Sequence, residues 1–259
     1  MGNSDENERS GTQSIERAVA LLREISTHGQ FGWQMSDLAA RCHLGKSTAH
    51  RILACLVRER LVRQRPNDRH YLPGPMLFEL GLSLPAFGDL QHTARKRLAE
   101  VAKRTSCIAF LFLRSGDDFV CAVRVGSREL KALTIFLGSR RPLITSAGGV
   151  AILLKLPVPD ARAIIRRNFA ALKELGLSRA RARGIRAMLE RTRSEGFAIN
   201  EGYLTPGFNA FGLAVPDAAG APFASIVVSG PSAVLTLERQ PEVRRLLESA
   251  LKDLQAEIS

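Results

Sequence analysis

At 259 residues, 45% hydrophobic and 24% charged, the chain has the composition of an ordinary globular protein and the length for two domains with separate cores. No apolar run approaches the roughly 20 residues of a spanning helix, and the polar start MGNSDENERSGTQS lacks the apolar core of a secretory signal, so a cytoplasmic protein without a membrane partner is expected. The formal net charge of +12 favours a polyanionic partner such as nucleic acid, because each neutralised phosphate releases a condensed counterion. Cys42, Cys55, Cys107 and Cys121 form neither CxxC pairs nor zinc-ligand spacings with histidine. They read as buried thiols in a reducing compartment, and no metal or cofactor is implied.

Residues 1–13, rich in Ser, Asn, Glu and Gly, read as a mobile tail. Order is expected from Ser14, where Ile15, Ala18, Val19, Leu22 and Ile25 make an amphipathic helix. The segment around Gly29 to Trp33 breaks it, and Trp33 reads as a lid on a small core. Ser36 is placed to cap a short helix carrying Leu38, Ala39 and Cys42, and Gly45 to supply the positive φ of the turn that follows. From Lys46, the residues Ala49, Ile52, Leu53, Leu56 and Val57 recur at i, i+3, i+4, i+7 and i+8, a continuous apolar stripe on one side of a helix. Lys46, Ser47, His50, Arg51 and Arg58 lie on the other side. Such a pair of helices suits a core as well as it suits DNA. The residues that follow separate the two, because Leu61–Arg65, the turn Pro66–Arg69 and His70–Leu72 spell a basic hairpin directly after the second helix. A winged helix-turn-helix results, with Lys46, Ser47, Thr48, His50 and Arg51 toward a groove of double-stranded DNA, and Arg63, Arg65 and Arg69 toward phosphate or a minor groove.

Pro73-Gly74-Pro75 ends the wing, Pro75 suits the first turn of a new helix, and Leu90–Thr105 reads as a longer linker helix. From Cys107 the period becomes strand-like: CIAFLFLR and FVCAVRV flank the turn Ser115–Asp118, and LKALTIF reads as a third strand. Helices are expected at Ser146–Leu156, Asp160–Leu172 and Ser178–Glu195, strands at Asn209–Val215 and Pro222–Ser229, and a closing helix at Pro241–Ile258. This order argues for an α+β domain with a largely antiparallel sheet. The division expected is a tail at 1–13, a DNA-binding domain at 14–74, linker helices at 75–105 and a second domain at 106–259. A basic run from Arg162 to Arg193 reads as a solvated helical face, a further DNA contact or an interface for an acidic neighbour.

SIERAVALLREI, KSTAHRIL, RPLITSAGGVAILL, GFAINEG, LAVPDAAG and IVVSGP, in that order and spacing, resemble the corresponding segments of the IclR-type bacterial transcriptional regulators. The resemblance runs from about Ser14 to the last helix. It implies a winged helix-turn-helix, a linker helix and a GAF-like effector-binding domain, in a protein that forms dimers and often tetramers on DNA. Two positions depart from the family pattern: Leu44-Gly45-Lys46 stands where proline is common, and Val150 where a lysine is.

Ser146, Ala147, Gly148 and Gly149 open a helix, whose free N–H groups and dipole suit a small carboxylate, although a tightly packed helix start has the same sequence. The resemblance makes this loop one wall of an effector site, with Asn209 and Ser229 supplying polar groups opposite and Phe110, Phe112, Phe208 and Phe211 available as apolar walls or core. The effector expected is a small organic acid, aromatic or not. An enzyme is disfavoured, since no GxSxG, GxGxxG, P-loop or HExxH occurs. Sequence-independent nucleic-acid binding through the basic run is the remaining alternative, and a partly palindromic operator bound by a dimer is the favoured function.

Overall fold

The computed structural model describes residues 5–27, 31–126 and 134–258, which fall into two units, Met1–Pro85 and Ala86–Ser259. The first contains α1 (Asp5–Thr27), α2 (Met35–Arg41), α3 (Lys46–Arg58), β1 (Val62–Gln64), β2 (Tyr71–Pro73) and α4 (Pro75–Gly81). Leu21, Ile25, Leu38, Leu53, Leu56, Val62 and Tyr71 form its core, so the stripe of α3 turns inward. Strands β1 and β2 pair antiparallel, with Arg63 opposite Leu72, and make the wing.

Four expectations are corrected here. Helix α1 begins at Asp5 rather than Ser14, residues 1–4 of the expected tail lie outside the described residues, and Ile15 and Val19 are exposed while Leu21 takes the core position. Gln34, not Ser36, occupies the cap of α2 and makes no side-chain bond there, while Ser36 Oγ donates to Asp37. The left-handed residue of the turn is His43 at φ 53°, whereas Gly45 sits at φ −63°. The helix end explains this: His43 N–H bonds Ala40 O and Leu44 N–H bonds Ala39 O, which is the two-bond Schellman termination and sets the positive φ two residues upstream of the glycine. Cys55 is exposed on α3, unlike the buried Cys107 and Cys121.

The second unit contains α5 (Pro85–Thr105), β3 (Ile108–Ser115), β4 (Asp118–Val125), β5 (Arg140–Pro142), a short 3₁₀ turn at Leu143–Thr145, α6 (Ala147–Lys155), α7 (Val158–Glu174), α8 (Arg179–Glu195), β6 (Ala198–Glu201), β7 (Phe208–Pro216), β8 (Pro222–Pro231) and α9 (Gln240–Ile258). The strands lie in the order β5-β4-β3-β8-β7-β6, and every described pairing is antiparallel. Side chains alternate between the faces. Ala109, Leu111, Phe211 and Ile226 pack with residues of α5 and α9, and Ile108, Phe110, Phe112, Ala210 and Val227 with residues of α6, α7 and α8. An α+β unit with a helix layer on each side of an antiparallel sheet results. The strand expected from LKALTIF falls partly on 130–133, outside the described residues, and Thr134–Phe136 is not strand; β4 takes Arg140–Pro142 as its partner instead. At the other edge β6, four residues long, is too short for alternation alone to mark.

Candidate functional site

On α3 the side chains of Lys46, Ser47, His50, Arg51 and Arg58 are exposed, opposite the buried Ala49, Leu53 and Leu56. Thr48 is half-buried at the margin of this face. Lys46, His50 and Arg51 have no carboxylate partner among the described residues, so their donors point to solvent, while Arg58 is held by Glu59 at 3.1 Å. A cleft of about 450 Å³ between the start of α2, α3 and the wing is lined by Gln34, Ser36, His50, Gln64 and Arg69. Gln34 and Gln64 were not singled out from sequence, and Ser36 was read only as a helix cap. Their only signal is a polar side chain beside the helix start and between the wing arginines.

The wing arginines divide by role. Arg63 and Arg69 are exposed. Arg65 instead grips Asp68, with Nε to Oδ1 at 2.9 Å and a terminal nitrogen to Oδ2 at 2.8 Å, and donates to Phe31 O at 2.7 Å. Its hydrogen bond is the main reason the Asp68 carboxyl is held down at about 2, so the pair is fully ionised at neutral pH. Gln64 donates to Arg69 O at 3.0 Å and braces the left-handed Arg69 at the tip. Trp33 bridges Tyr71, donates to Glu24 O at 2.9 Å and lies under Arg41, so it is structural as expected.

In the second unit, Ser146 caps α6: its Oγ accepts from Gly149 N–H at 2.9 Å, and its carbonyl accepts from Val150 N–H. The turn before it is held by buried Asn168, which accepts from Ile144 N–H at 3.3 Å and donates to Asp117 O at 3.1 Å. Ala147, Gly148, Gly149 and Val150 are all buried. A Cβ on Gly149 would collide with the Leu143 carbonyl, and one on Gly148 with Val227, Phe112 and Ser225. Both glycines therefore let the helix start press against the sheet and the preceding turn.

The side chains of Asn209 and Ser229 face opposite sides of the sheet, although Ser229 Oγ donates to the Asn209 carbonyl at 3.2 Å. Ala210, the neighbour of Asn209, pairs with Ser229 across β7 and β8. Alternation then sends Asn209 to the face of α5 and α9, where its Nδ2 donates to Leu235 O at 2.9 Å, and Ser229 to the face of α6. Phe211 likewise stacks on Phe197 on the α9 side, while Phe110 and Phe112 are core on the α6 side, and Phe208 is half-buried. What the α6 side holds is a polar set of which the sequence reading named Ser229 and missed Asn200 and Ser225. Asn200, Ala210 and Ser229 are successive partners across β6, β7 and β8. Ser225 lies two steps along the same face of β8, beyond Val227, fully buried, its Oγ without a hydrogen-bond partner among the described residues. Serines four apart in FASIVVSG, on one side of a buried strand, were the signal available.

Residues 14–66 match the family described as the IclR helix-turn-helix domain, and residues 87–256 the family described as Bacterial transcriptional regulator IclR C-terminal. The HTH-type transcriptional repressor AllR of Salmonella typhi is 27% identical, over 98% of this chain and 92% of its own. An IclR transcriptional regulator from Alicyclobacillus acidocaldarius superposes with a TM-score of 0.74 at 22% identity, covering 95% of this chain and 99% of the other. An IclR homologue from Microbacterium hydrocarbonoxydans, solved with 4-hydroxybenzoate, gives 0.71 at 19% identity, covering 95% and 98%.

Proposed function

Because the chain belongs to the IclR family of bacterial transcriptional regulators, a family of DNA-binding proteins and not enzymes, we propose that it is a repressor whose hold on a partly palindromic operator changes when a small organic acid binds its second unit. The polar set beneath α6 carries this reading. A buried hydroxyl without a partner costs about 1–3 kcal/mol, and Ser225 bears that cost beside Gly148, at a helix start whose dipole favours an anion. Asn200 and Ser229, with small Ala210 between them, add polar groups to the same face, held in place because Asn200 Oδ1 accepts from Leu204 N–H and Ser229 Oγ donates to Asn209 O. The 4-hydroxybenzoate in the Microbacterium neighbour and the repressor role of AllR support the class of ligand and the sign of control.

On the DNA side, Lys46, Ser47, His50 and Arg51 read the major groove, Thr48 borders it, and Arg63 and Arg69 take phosphate or minor groove. The first unit also leaves Ile15, Val19, Phe78, Leu80, Leu82 and Leu84 exposed. Apolar side chains in such number favour contact with a second copy, and a symmetric dimer matches two half-sites. Footprinting on the promoter beside its own gene, with and without 4-hydroxybenzoate and smaller aliphatic acids, tests the whole reading. A two-fold footprint that one acid alters supports it; a footprint indifferent to every acid removes the sensing half.

A further inference from the structure

A second cleft, of about 670 Å³, lies where the end of α7 meets the start of α8. Its floor is apolar, with Phe169 and Leu177 half-buried against the sheet-facing core. Its walls carry Lys173, Arg179, Arg183 and Arg186. Two arginines of these helices find carboxylates, Arg167 on Asp117 and Arg191 on Glu195, while Arg162, Arg166, Arg181 and Arg193 have none among the described residues. The four on the cleft have no such partner among the described residues, and Arg186 instead lies 5.2 Å over the ring of Phe169. The positive field extends to Arg141, whose pKa burial and the nearby Arg181 both lower. Like charges gathered without counter-charges oppose folding, and a sequence tolerates that most readily where a ligand compensates.

We propose that this cleft is a second ligand site, for an organic polyphosphate of nucleotide size. Every polar side chain on its walls is a donor only, so the ligand presents acceptors, and several, to match four cations. The space suits a small molecule. The apolar floor accommodates a ring or sugar body, which inorganic phosphate lacks. This site is independent of the acid-sensing set beneath α6, and its ligand adds a second input to the regulator.

Titration calorimetry on the full chain, in about 150 mM salt to screen loose surface attraction, compares adenosine triphosphate with inorganic tripolyphosphate. Saturable binding of the nucleotide at one site per chain, tighter than the tripolyphosphate, is expected. The double substitution Lys173→Ala with Arg183→Ala should weaken nucleotide binding about tenfold or more and abolish the nucleotide's upward shift of the melting temperature, while the ligand-free protein melts no lower than wild type. No saturable nucleotide binding, or equal binding by the double variant, would overturn the proposal. So would a variant that keeps the nucleotide and loses affinity for duplex DNA, since the cations would then serve the DNA backbone.

Discussion

Arg51 stands on the exposed side of α3 with no carboxylate among the described residues to occupy it. One good bidentate contact to a base is worth about 1–3 kcal/mol of discrimination. Arg51→Ala should therefore lower operator affinity about tenfold to a hundredfold and leave the melting temperature unchanged; fluorescence anisotropy against operator and scrambled duplexes measures both affinity and preference. Ser225 makes the opposite kind of case, because its buried hydroxyl has no partner among the described residues. Ser225→Ala should raise the stability of the ligand-free protein by about 1 kcal/mol and blunt the acid response. Thermal melts with and without acid decide it, and a variant that is less stable yet still responsive would show that the hydroxyl serves packing alone.

At the scale of elements, the turn before α3 and the wing each allow one prediction. A left-handed backbone costs a non-glycine residue about 1 kcal/mol, and His43 adopts one at φ 53° on the surface. His43→Gly should stabilise the first unit by about 0.5–1 kcal/mol, less the entropy that glycine adds to the unfolded chain, readable as a higher urea midpoint. In the wing, exposed Arg63 and internally bonded Arg65 should behave differently toward salt. Losing one phosphate contact lowers the slope of log affinity against log salt by about 1. Arg63→Ala should show that change, whereas Arg65→Ala should weaken binding at every salt concentration with little change of slope, because it loosens the hairpin from Phe31 and Asp68. Equal slopes for the two variants would remove the distinction.

For the whole molecule, charge and apolar exposure tell different stories. The +12 is by itself no index of DNA binding, because α7 and α8, in the second unit, carry about as much of it as α3 and the wing. The exposed apolar side chains of the first unit bear more directly on assembly. Burying a leucine fully is worth about 1.5–3 kcal/mol. Leu80→Ser with Leu84→Ser should therefore weaken self-association on the order of a hundredfold, seen by sedimentation as a shift from dimer to monomer, with a matching loss of operator affinity. Self-association that is indifferent to both substitutions would place the interface elsewhere.

What the sequence determined by itself was the set of elements and their kind. The stripe of α3, the apolar runs of β3, β4, β7 and β8, the hairpin turn after Ser115 and the helix starts at Ser146 and Ser178 were all legible, because burial and helix ends impose local patterns and local residue types. The order of motifs placed the chain in its family for the same reason. Only the tertiary structure decided which polar residues meet. Asn209 and Ser229 look equivalent along the chain, yet the strand register sends them to opposite faces. Arg65 reads as a phosphate contact until Asp68 and Phe31 are found in its grasp. Gly148 and Gly149 read as a helix start facing a ligand, and Phe112, Val227 and Leu143 show that their missing side chains also serve the packing of α6. In each case the deciding contact comes from another element, often far along the chain. A side chain's local period says whether it is buried; its partner depends on register and packing, which no window of sequence contains.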